Sequence, residues 1–286
     1  MSSTVAVIIV NFNSGGALTP TMDALEAAFA GFPWDGVVID NASSDGSERP
    51  VLSRERFTLL RQPGNTGFAA GVNAGISMTS APFVLILNPD CRLTANSGQH
   101  LFEELQKHPR CALIGPRILN PDGTLQESAR GDPNVLTGLF GRTTLLSRLF
   151  PGSPIVRRNL VSSDQVSHPT SSRPVDWISG ACMLARREAL TEVKGFDEGY
   201  FLYWEDADIC RRLRGAGWEI RYLASADVVH DVGRSSMNVR GLANREFHRS
   251  AYRYFATHVV PQRWHPGRAL GWLILMLRWR LKSLTG

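Results

Sequence analysis

The sequence predicts an α/β fold with a mostly parallel central sheet flanked by helices. Short apolar runs recur at residues 5–10, 37–39, 57–60 and 83–87. Helix-spaced stretches at 18–30 and 68–78 separate them, in the order and length of crossover connections. Finally, Phe83-Val84-Leu85-Ile86-Leu87 is apolar at every position, which is the pattern of a strand covered by helices on both faces.

Composition narrows the class. With 286 residues, 43% hydrophobic and 20% charged, the chain has an ordinary globular make-up and enough length for a large core. Cys91, Cys111, Cys182 and Cys210 are far apart and form no CxxC pair. No zinc or disulfide framework follows, and a reducing, cytoplasmic setting is expected. The start, MSSTVAVIIV, lacks a basic leader and reads as a first strand, not a signal peptide. Charge is uneven. Residues 240–286 hold nine Lys and Arg against the single acid Glu246, so the other 239 residues carry about −3 of the overall +5. A basic tail on a near-neutral body points to an anionic surface. The tail carries no nucleic-acid-binding motif, so nucleic acid is not expected as a partner.

Each element can be justified in turn. The strand at 5–10 runs into the loop Asn11-Phe12-Asn13-Ser14-Gly15-Gly16. In the helix at 18–30, Leu18, Met22, Leu25 and Phe29 share one face. The second strand ends in Asp40-Asn41, followed by Ala42-Ser43-Ser44-Asp45-Gly46-Ser47, rich in residues that bond their own backbone. Asn65 and Gly67 open the helix at 68–78, where free N–H groups could meet a nucleotide or phosphate. Gly71 and Gly75 continue a smooth stripe expected to pack on the sheet. No GxGxxG or GxxxxGK[ST] is present, so neither dinucleotide nor P-loop binding is indicated. Pro89 cannot donate to a ladder, so the strand at 83–87 stops at Asn88-Pro89-Asp90. Asp90 then lies at the carboxyl edge of the sheet, where such sheets bind ligands and where a carboxylate suits a hard cation.

A helix at 101–107 and a strand at 112–115 follow. Residues 131–173, broken by prolines, read as a long loop with some helix near 136–150, the kind of segment used as a lid or acceptor-binding element. An extended stretch at 175–184 contains Trp177, Gly180 and Ala181, which could line a sugar pocket. Next comes Tyr200-Phe201-Leu202-Tyr203-Trp204-Glu205-Asp206-Ala207-Asp208. Its three acids sit in the first turn of a helix reaching about residue 216, suited both to the helix dipole and to a positioned base. Strands at 218–223 and 226–229 lead to His230, which would complete a metal site if it faced Asp90. In the tail, residues 269–282 combine an apolar core with Trp272, Trp279, Arg278, Arg280 and Lys282. The core is too short for the about 20 residues a membrane span needs. It fits a helix lying on an anionic membrane surface, or one docked on the protein or in a homodimer.

Together, VIIVNFNS, VIDNASSDGS, GNTGFAAGVNAG, LILNPD, WISGACMLARREAL, GFDEGYFLYWEDADICRRLRGAGW and the later His230 resemble the family 2 glycosyltransferases, specifically the bacterial rhamnosyltransferase-like group. The resemblance implies a GT-A fold with a smaller acceptor-side sheet. Residues 1–239 would be the catalytic domain, divided into a nucleotide-sugar half (1–125) and an acceptor half (126–239), with 240–286 as the basic helical tail. It implies inverting transfer, aided by a divalent metal (Mg or Mn), from a nucleotide sugar to a lipid-linked or glycan acceptor in cell-envelope synthesis. The group favours dTDP-L-rhamnose, with a UDP-sugar such as galactofuranose, glucose or N-acetylglucosamine as the alternative.

Residue by residue, Asn11 and Asn13 would lie near base and ribose, Asp40 would accept from them, and Asn65 would help hold the nucleotide. Asp90 matches the last acid of the family's DxD motif, with Asn88 in place of the first. His230 would join the metal and Asp206 would be the catalytic base. Trp177, Gly180 and Glu205 complete the expected donor-sugar surroundings. A nucleotidyltransferase fits less well, because the loop at 11–16 has no Lys or Arg. A non-catalytic homologue would predict loss of Asp90 or of the acidic pair, and both are present. The expected location is peripheral, at the inner face of the cell membrane.

Overall fold

A computed structural model of the chain describes residues 4–126, 128–132, 172–231 and 240–285. The loop expected at 131–173, with its helix near 136–150, lies almost wholly outside these residues. The first half is a run of parallel strands with crossovers. β1 (Val5–Asn11), β2 (Trp34–Asp40), β3 (Phe57–Arg61) and β4 (Phe83–Leu87) pair in parallel in the order β3-β2-β1-β4. Helices α1 (Leu18–Ala28) and α2 (Phe68–Ser77) and the 3₁₀ turn Arg49–Ser53 connect them.

The second half extends the same sheet. It contributes β5 (Cys91–Leu93), α3 (Ser97–Lys107), β6 (Cys111–Leu119) and β7 (Leu125–Gln126). After these come β8 (Ala129–Arg130), β9 (Arg173–Val175), β10 (Trp177–Ile178) and β11 (Cys182–Arg186). Then follow α4 (Arg187–Glu192), α5 (Glu205–Gly215) and β12 (Glu219–His230). The path across the sheet is β3-β2-β1-β4-β11-β6-β12-β5, with β7 on β6 and β9 on β12, while β8 and β10 form a separate two-stranded sheet. Strand β11 runs antiparallel to both neighbours, and β6 and β12 are parallel to each other. The path is therefore mostly parallel, with β11 reversed in its middle and β5 reversed at its edge.

Alternation along the strands separates two cores. Val5, Val7, Ile9, Leu85 and Leu87 face α1 and α3 through Leu18, Met22, Leu25, Leu101 and Leu105. Ile8, Val10, Val84 and Ile86 face the opposite layer, with Ala69 and Val72 of α2, Leu190 of α4, and Ile209 and Leu213 of α5. All five residues of β4 are buried, as its apolar run predicts. A Cβ on Gly71 would come within 2.8 Å of Val10, and one on Gly75 within 2.5 Å of Ile8, so this stripe serves helix-on-sheet packing.

Three boundaries differ from expectation. The two strands expected at 218–223 and 226–229 are one strand, β12, with a register break between Leu223 and Asp227. Helix α3 starts four residues early because its polar first turn packs under Phe29, whose ring lies where a Gly98 side chain would be. The tail holds two helices, α6 (Arg240–Tyr254) and α7 (Pro266–Thr285), joined through a π-helical turn at Phe255–Val259. Helix α6 has no clean apolar stripe in sequence, because its inner face mixes Ala243 with buried Glu246, His248 and Ser250.

Buried Glu104 on α3 anchors the point where the described chain resumes. Its Oε1 accepts the Ser172 N–H (3.0 Å) and hydroxyl (2.8 Å), and Arg221 donates to the same Ser172 hydroxyl oxygen (2.7 Å). Burial alone would raise the Glu104 carboxyl, but the Ser172 bonds and Lys107 hold it at about 2 instead of the ordinary 4.5. A depressed folded value means this stabilisation is complete above pH 4.5 and is lost as pH falls towards 2. Glu104→Gln is expected to cost roughly 1–2 kcal/mol at neutral pH, allowing for solvent screening, with the deficit vanishing in acid. Denaturant titrations at several pH values check this.

Candidate active site

Three strand ends and one helix start converge on a single edge of the sheet. Strands β1, β2 and β4 finish there at Asn11, Asp40 and Asn88-Pro89-Asp90. Because β11 runs backwards, it begins there: Cys182 pairs with Leu87, and the Asn88 N–H donates to the Ala181 carbonyl at 2.9 Å. Gly180, just before β11, donates its N–H to Asp206 Oδ2 at 3.0 Å. The first turn of α5 is thereby tied to the end of β4. A Cβ on Gly180 would press within 3.3 Å of the Asp206 Cβ, so the backbone must be bare for this approach. Asp206 Oδ1 also accepts the Ala207 N–H at 2.8 Å.

On the other side, β12 ends at His230, paired with Cys91 of β5. This places His230 Nε2 3.3 Å from Asp90 Oδ1, and the Asp231 N–H on the Asp90 carbonyl at 3.1 Å. Asp90, Cys91 and His230 offer ligand atoms within 4.8 Å of one another. Burial pushes the Cys91 thiol well above its ordinary range, and Asp90's charge adds to this, so Cys91 is a neutral core thiol. The fitting donors are one carboxylate and one imidazole, a set that a divalent cation such as Mn²⁺ accepts. The His230 ring also has an outer partner, with Nδ1 3.0 Å from Gln126 Oε1, as metal-bound histidines commonly do.

The loops after β1 and β2 are laced together. Asn11 is buried, and its amide donates to Asp40 Oδ1 (2.9 Å), Ser43 Oγ (3.1 Å) and Ser47 Oγ (2.9 Å), while Ser14 donates to its Oδ1. Asn11 therefore builds this wall from inside, with its own side chain fully buried. Asp40 is also buried but keeps acceptor capacity beyond its bonds to Asn11 and the Ser43 N–H (3.2 Å). Asn13, at a left-handed φ of 48°, is partly exposed and accepts the Ser44 N–H at 2.8 Å.

The start of α2 is tied down by two hydrogen bonds. Asn65 Oδ1 takes the Gly67 N–H at 2.9 Å, and the Phe68 N–H donates to the Phe201 carbonyl at 2.8 Å. The Phe68 N–H thus docks the loop before α5 and the Gly67 N–H is closed within its own loop, so neither of the two is open to a phosphate.

That loop is strained and supported. Tyr203 and Trp204 both have positive φ, 68° and 71°, just ahead of α5. Each costs roughly 1–3 kcal/mol in a non-glycine residue. Helix α6 offsets this with aromatic contacts: Trp204 lies 5.3 Å from Tyr254 and 6.0 Å from Phe247, and Tyr203 lies 5.8 Å from Phe247. Such pairs contribute roughly 0.5–1.5 kcal/mol each, the same order as the strain. The tail grips α5 directly as well. His258 Nε2 is 2.6 Å from Asp208 Oδ1, and Arg211 donates to the His258 carbonyl at 3.0 Å.

The three acids of α5 have separate surroundings. Asp208 is clamped between His258 and Arg212 (2.7 Å). Glu205 is buried, and burial, then the charges of Asp206 and Asp208, push its carboxyl well above the ordinary range. It is a buried packing acid whose surroundings favour the protonated form. Asp206 alone is partly exposed. Trp177 is partly buried between the α5-side core and the Tyr200–Tyr254 cluster. Sequence reasoning missed Gln126, His258 and the left-handed pair: Leu125-Gln126 carries no motif, and the pairings of the other residues join segments about 50 residues apart.

A parallel nucleotide-type sheet with carboxylates at its carboxyl edge, joined to a smaller sheet, defines a GT-A glycosyltransferase. The solved structure of the mannosyltransferase PcManGT from Pyrobaculum calidifontis, in complex with GDP-Man and Mn²⁺, shares this fold with a TM-score of 0.59 at 15% identity, over 98% of this chain and 71% of that one. The chain belongs to glycosyl transferase family 2, which it matches over residues 6–162. It is 31% identical to the N-acetylglucosaminyl-diphospho-decaprenol L-rhamnosyltransferase of Mycobacterium tuberculosis, over 99% of this chain and 91% of that protein. Rhamnosyltransferase WbbL of Escherichia coli is 37% identical over a shorter stretch, 30% of this chain and 33% of its own length.

Gly67, at φ 88°, is where the two halves of the site touch, and a Cβ there would collide with the Phe201 carbonyl oxygen. Gly67→Ala is expected to lower stability by roughly 2–3 kcal/mol. It would also reduce turnover by displacing the loop before α5, as thermal melts and a transfer assay would register.

Proposed function

We propose that this glycosyltransferase moves L-rhamnose from dTDP-L-rhamnose, with inversion, to a lipid-linked or polysaccharide acceptor in cell-envelope glycan synthesis. The observation that carries the reading is the placement of Asp206, held by the Gly180 N–H at the sheet edge that also carries Asp90 and His230. The 31% identity to a rhamnosyltransferase named for a diphospho-decaprenol acceptor supports donor and acceptor class.

Residues 1–125 hold the nucleotide sugar, with Asn13, Asp40, Asn65 and Asn88 along the nucleotide, Asn11 bracing that wall, and Trp177 and Gly180 beside the sugar. Residues 126–239 take the acceptor. A divalent ion, Mg²⁺ or Mn²⁺, would be held by Asp90 and His230. When bound, it supplies positive charge against the diphosphate leaving group. Asp206 accepts the proton of the acceptor hydroxyl as that oxygen attacks the anomeric carbon. One carboxylate acting in a single displacement requires no covalent intermediate and inverts the anomeric centre.

The protein is cytoplasmic and peripheral, docked on the inner membrane face through α7. Among the described residues no helix is long and apolar enough to cross a membrane. Leu270, Leu273, Ile274, Leu277 and Leu281 make an exposed stripe at helical spacing, and Trp264 at the hairpin tip is 96% exposed. From Phe255 to the end there are five Lys and Arg and no acid. Two copies pairing this face would bring like charges together, which favours anionic lipid over a homodimer.

The decisive assay follows nucleotide release from dTDP- and UDP-sugars with Mg²⁺ or Mn²⁺, with and without EDTA and a lipid-linked acceptor fraction. Acceptor-dependent release from dTDP-rhamnose, lost with EDTA and weakened in Asp90→Ala, is expected. Release from a UDP-sugar alone would overturn the rhamnosyl assignment. Asp206→Asn should lose roughly 10²–10⁴-fold in turnover with nucleotide binding intact, and near-normal turnover would remove Asp206 as the base. In vesicle sedimentation, Leu273→Glu with Leu277→Glu should cut binding to anionic vesicles at least about tenfold, and high salt should weaken the wild type. Equal binding to neutral and anionic vesicles would refute the charge argument.

A further inference from the structure

We propose that Gln126 is a positioning residue for the metal ligand His230, setting which ring nitrogen faces Asp90. The inference rests on the metal reading above and adds to it how the imidazole is prepared.

The argument follows the direction of a hydrogen-bond chain. Asp122 is in the turn between β6 and β7, and the Thr124 hydroxyl and N–H hold its carboxyl below the ordinary range, so it is ionised and can only accept. The Thr124 hydroxyl donates to it at 2.6 Å and therefore accepts from the Asn120 amide nitrogen at 2.7 Å. Asn120 Oδ1 is then the acceptor for Gln126 Nε2 at 2.7 Å. The same Gln126 nitrogen donates to the His230 carbonyl at 2.8 Å. With its nitrogen facing two acceptors, Gln126 presents Oε1 to the ring, 3.0 Å from His230 Nδ1.

An amide oxygen has no proton to give, so Nδ1 must carry the hydrogen. In a neutral ring this leaves the Nε2 lone pair directed at Asp90 Oδ1, 3.3 Å away. Two electron-rich atoms at this separation repel unless a cation lies between or beside them. The tautomer is thus the one a metal requires, and it is selected before any metal arrives. Gln126 also fixes the ring's anchor by bonding the backbone of the same residue. The chain starts in an exposed turn and ends in the cleft, so it orients the ligand without occupying space at the site.

The test uses the full-length protein and Mn²⁺ alone, with no sugar nucleotide. Calorimetry or electron paramagnetic resonance would give Mn²⁺ affinity for wild type, Gln126→Leu and Gln126→Glu, and ring ¹⁵N spectra would give the His230 tautomer without metal. The Leu variant, which loses the acceptor, should bind Mn²⁺ about 10–100-fold more weakly. The Glu variant, which keeps an oxygen on Nδ1 but loses both Nε2 donations, should bind Mn²⁺ more tightly than the Leu variant and keep hydrogen on Nδ1. The wild-type spectrum should show hydrogen on Nδ1 and a bare Nε2, and the Leu variant should lose that bias.

A bare Nδ1, with hydrogen on Nε2 alone, in the metal-free wild type would overturn the assignment even if the Leu variant fails to fold. So would equal Mn²⁺ affinity in wild type and Gln126→Leu. Absence of Mn²⁺ binding by the wild type would refute the metal reading itself. That result is distinct, because the tautomer would still report on Gln126.

Discussion

The site depends on one reversed strand. In a parallel sheet every strand ends at the ligand edge and every connection returns to the far edge, so no strand can begin where the ligand binds. Strand β11 breaks that rule by running antiparallel between β4 and β6. Its start, and Gly180 just before it, therefore lie beside the end of β4. The Asn88–Ala181 and Gly180–Asp206 hydrogen bonds then carry α5 to the same place. Placed in a parallel orientation, β11 would put Gly180 at the opposite edge, and Asp206 would have no such tether to the Asp90 side.

A second constraint is local strain held by distant packing. Two consecutive left-handed aromatic residues are a poor local choice, and the chain adopts them because α6 covers their rings. The tail thus has two faces with different work. Helix α6 and the turn after it support the first turn of α5, through the aromatic cluster and the Asp208–His258 contact. The outer stripe of α7 remains exposed. The turn that leads into α7 touches the helix that carries Asp206, through His258.

Three acids within four residues show how environment divides chemistry that composition leaves identical. Glu205 is buried with its protonated form favoured, Asp208 is locked by His258 and Arg212, and Asp206 is held at the rim by backbone N–H groups. Helical rotation of about 100° per residue sends the three side chains in different directions. A sequence shows only that they are adjacent.

The sequence by itself determined the layered α/β class, because apolar periodicity is a local property that burial on two faces imposes. Strand β4, the stripe of Gly71 and Gly75, and Asp90 beyond the Pro89 stop were all legible for that reason. Asp206 and His230 were legible through the family resemblance, and the fold brings each to the edge where Asp90 lies. What only the tertiary structure decided concerns partners far apart in the chain. These include the saturation of Asn11 by the serines after β2, the docking of the α2 start on Phe201, the burial of Glu205 and the grip of α6 on α5. The hydrogen-bond direction running from Asp122 through Gln126 to His230 belongs with them. Each depends on which groups meet across the fold, and hydrogen-bond satisfaction and desolvation act only once those neighbours are in place.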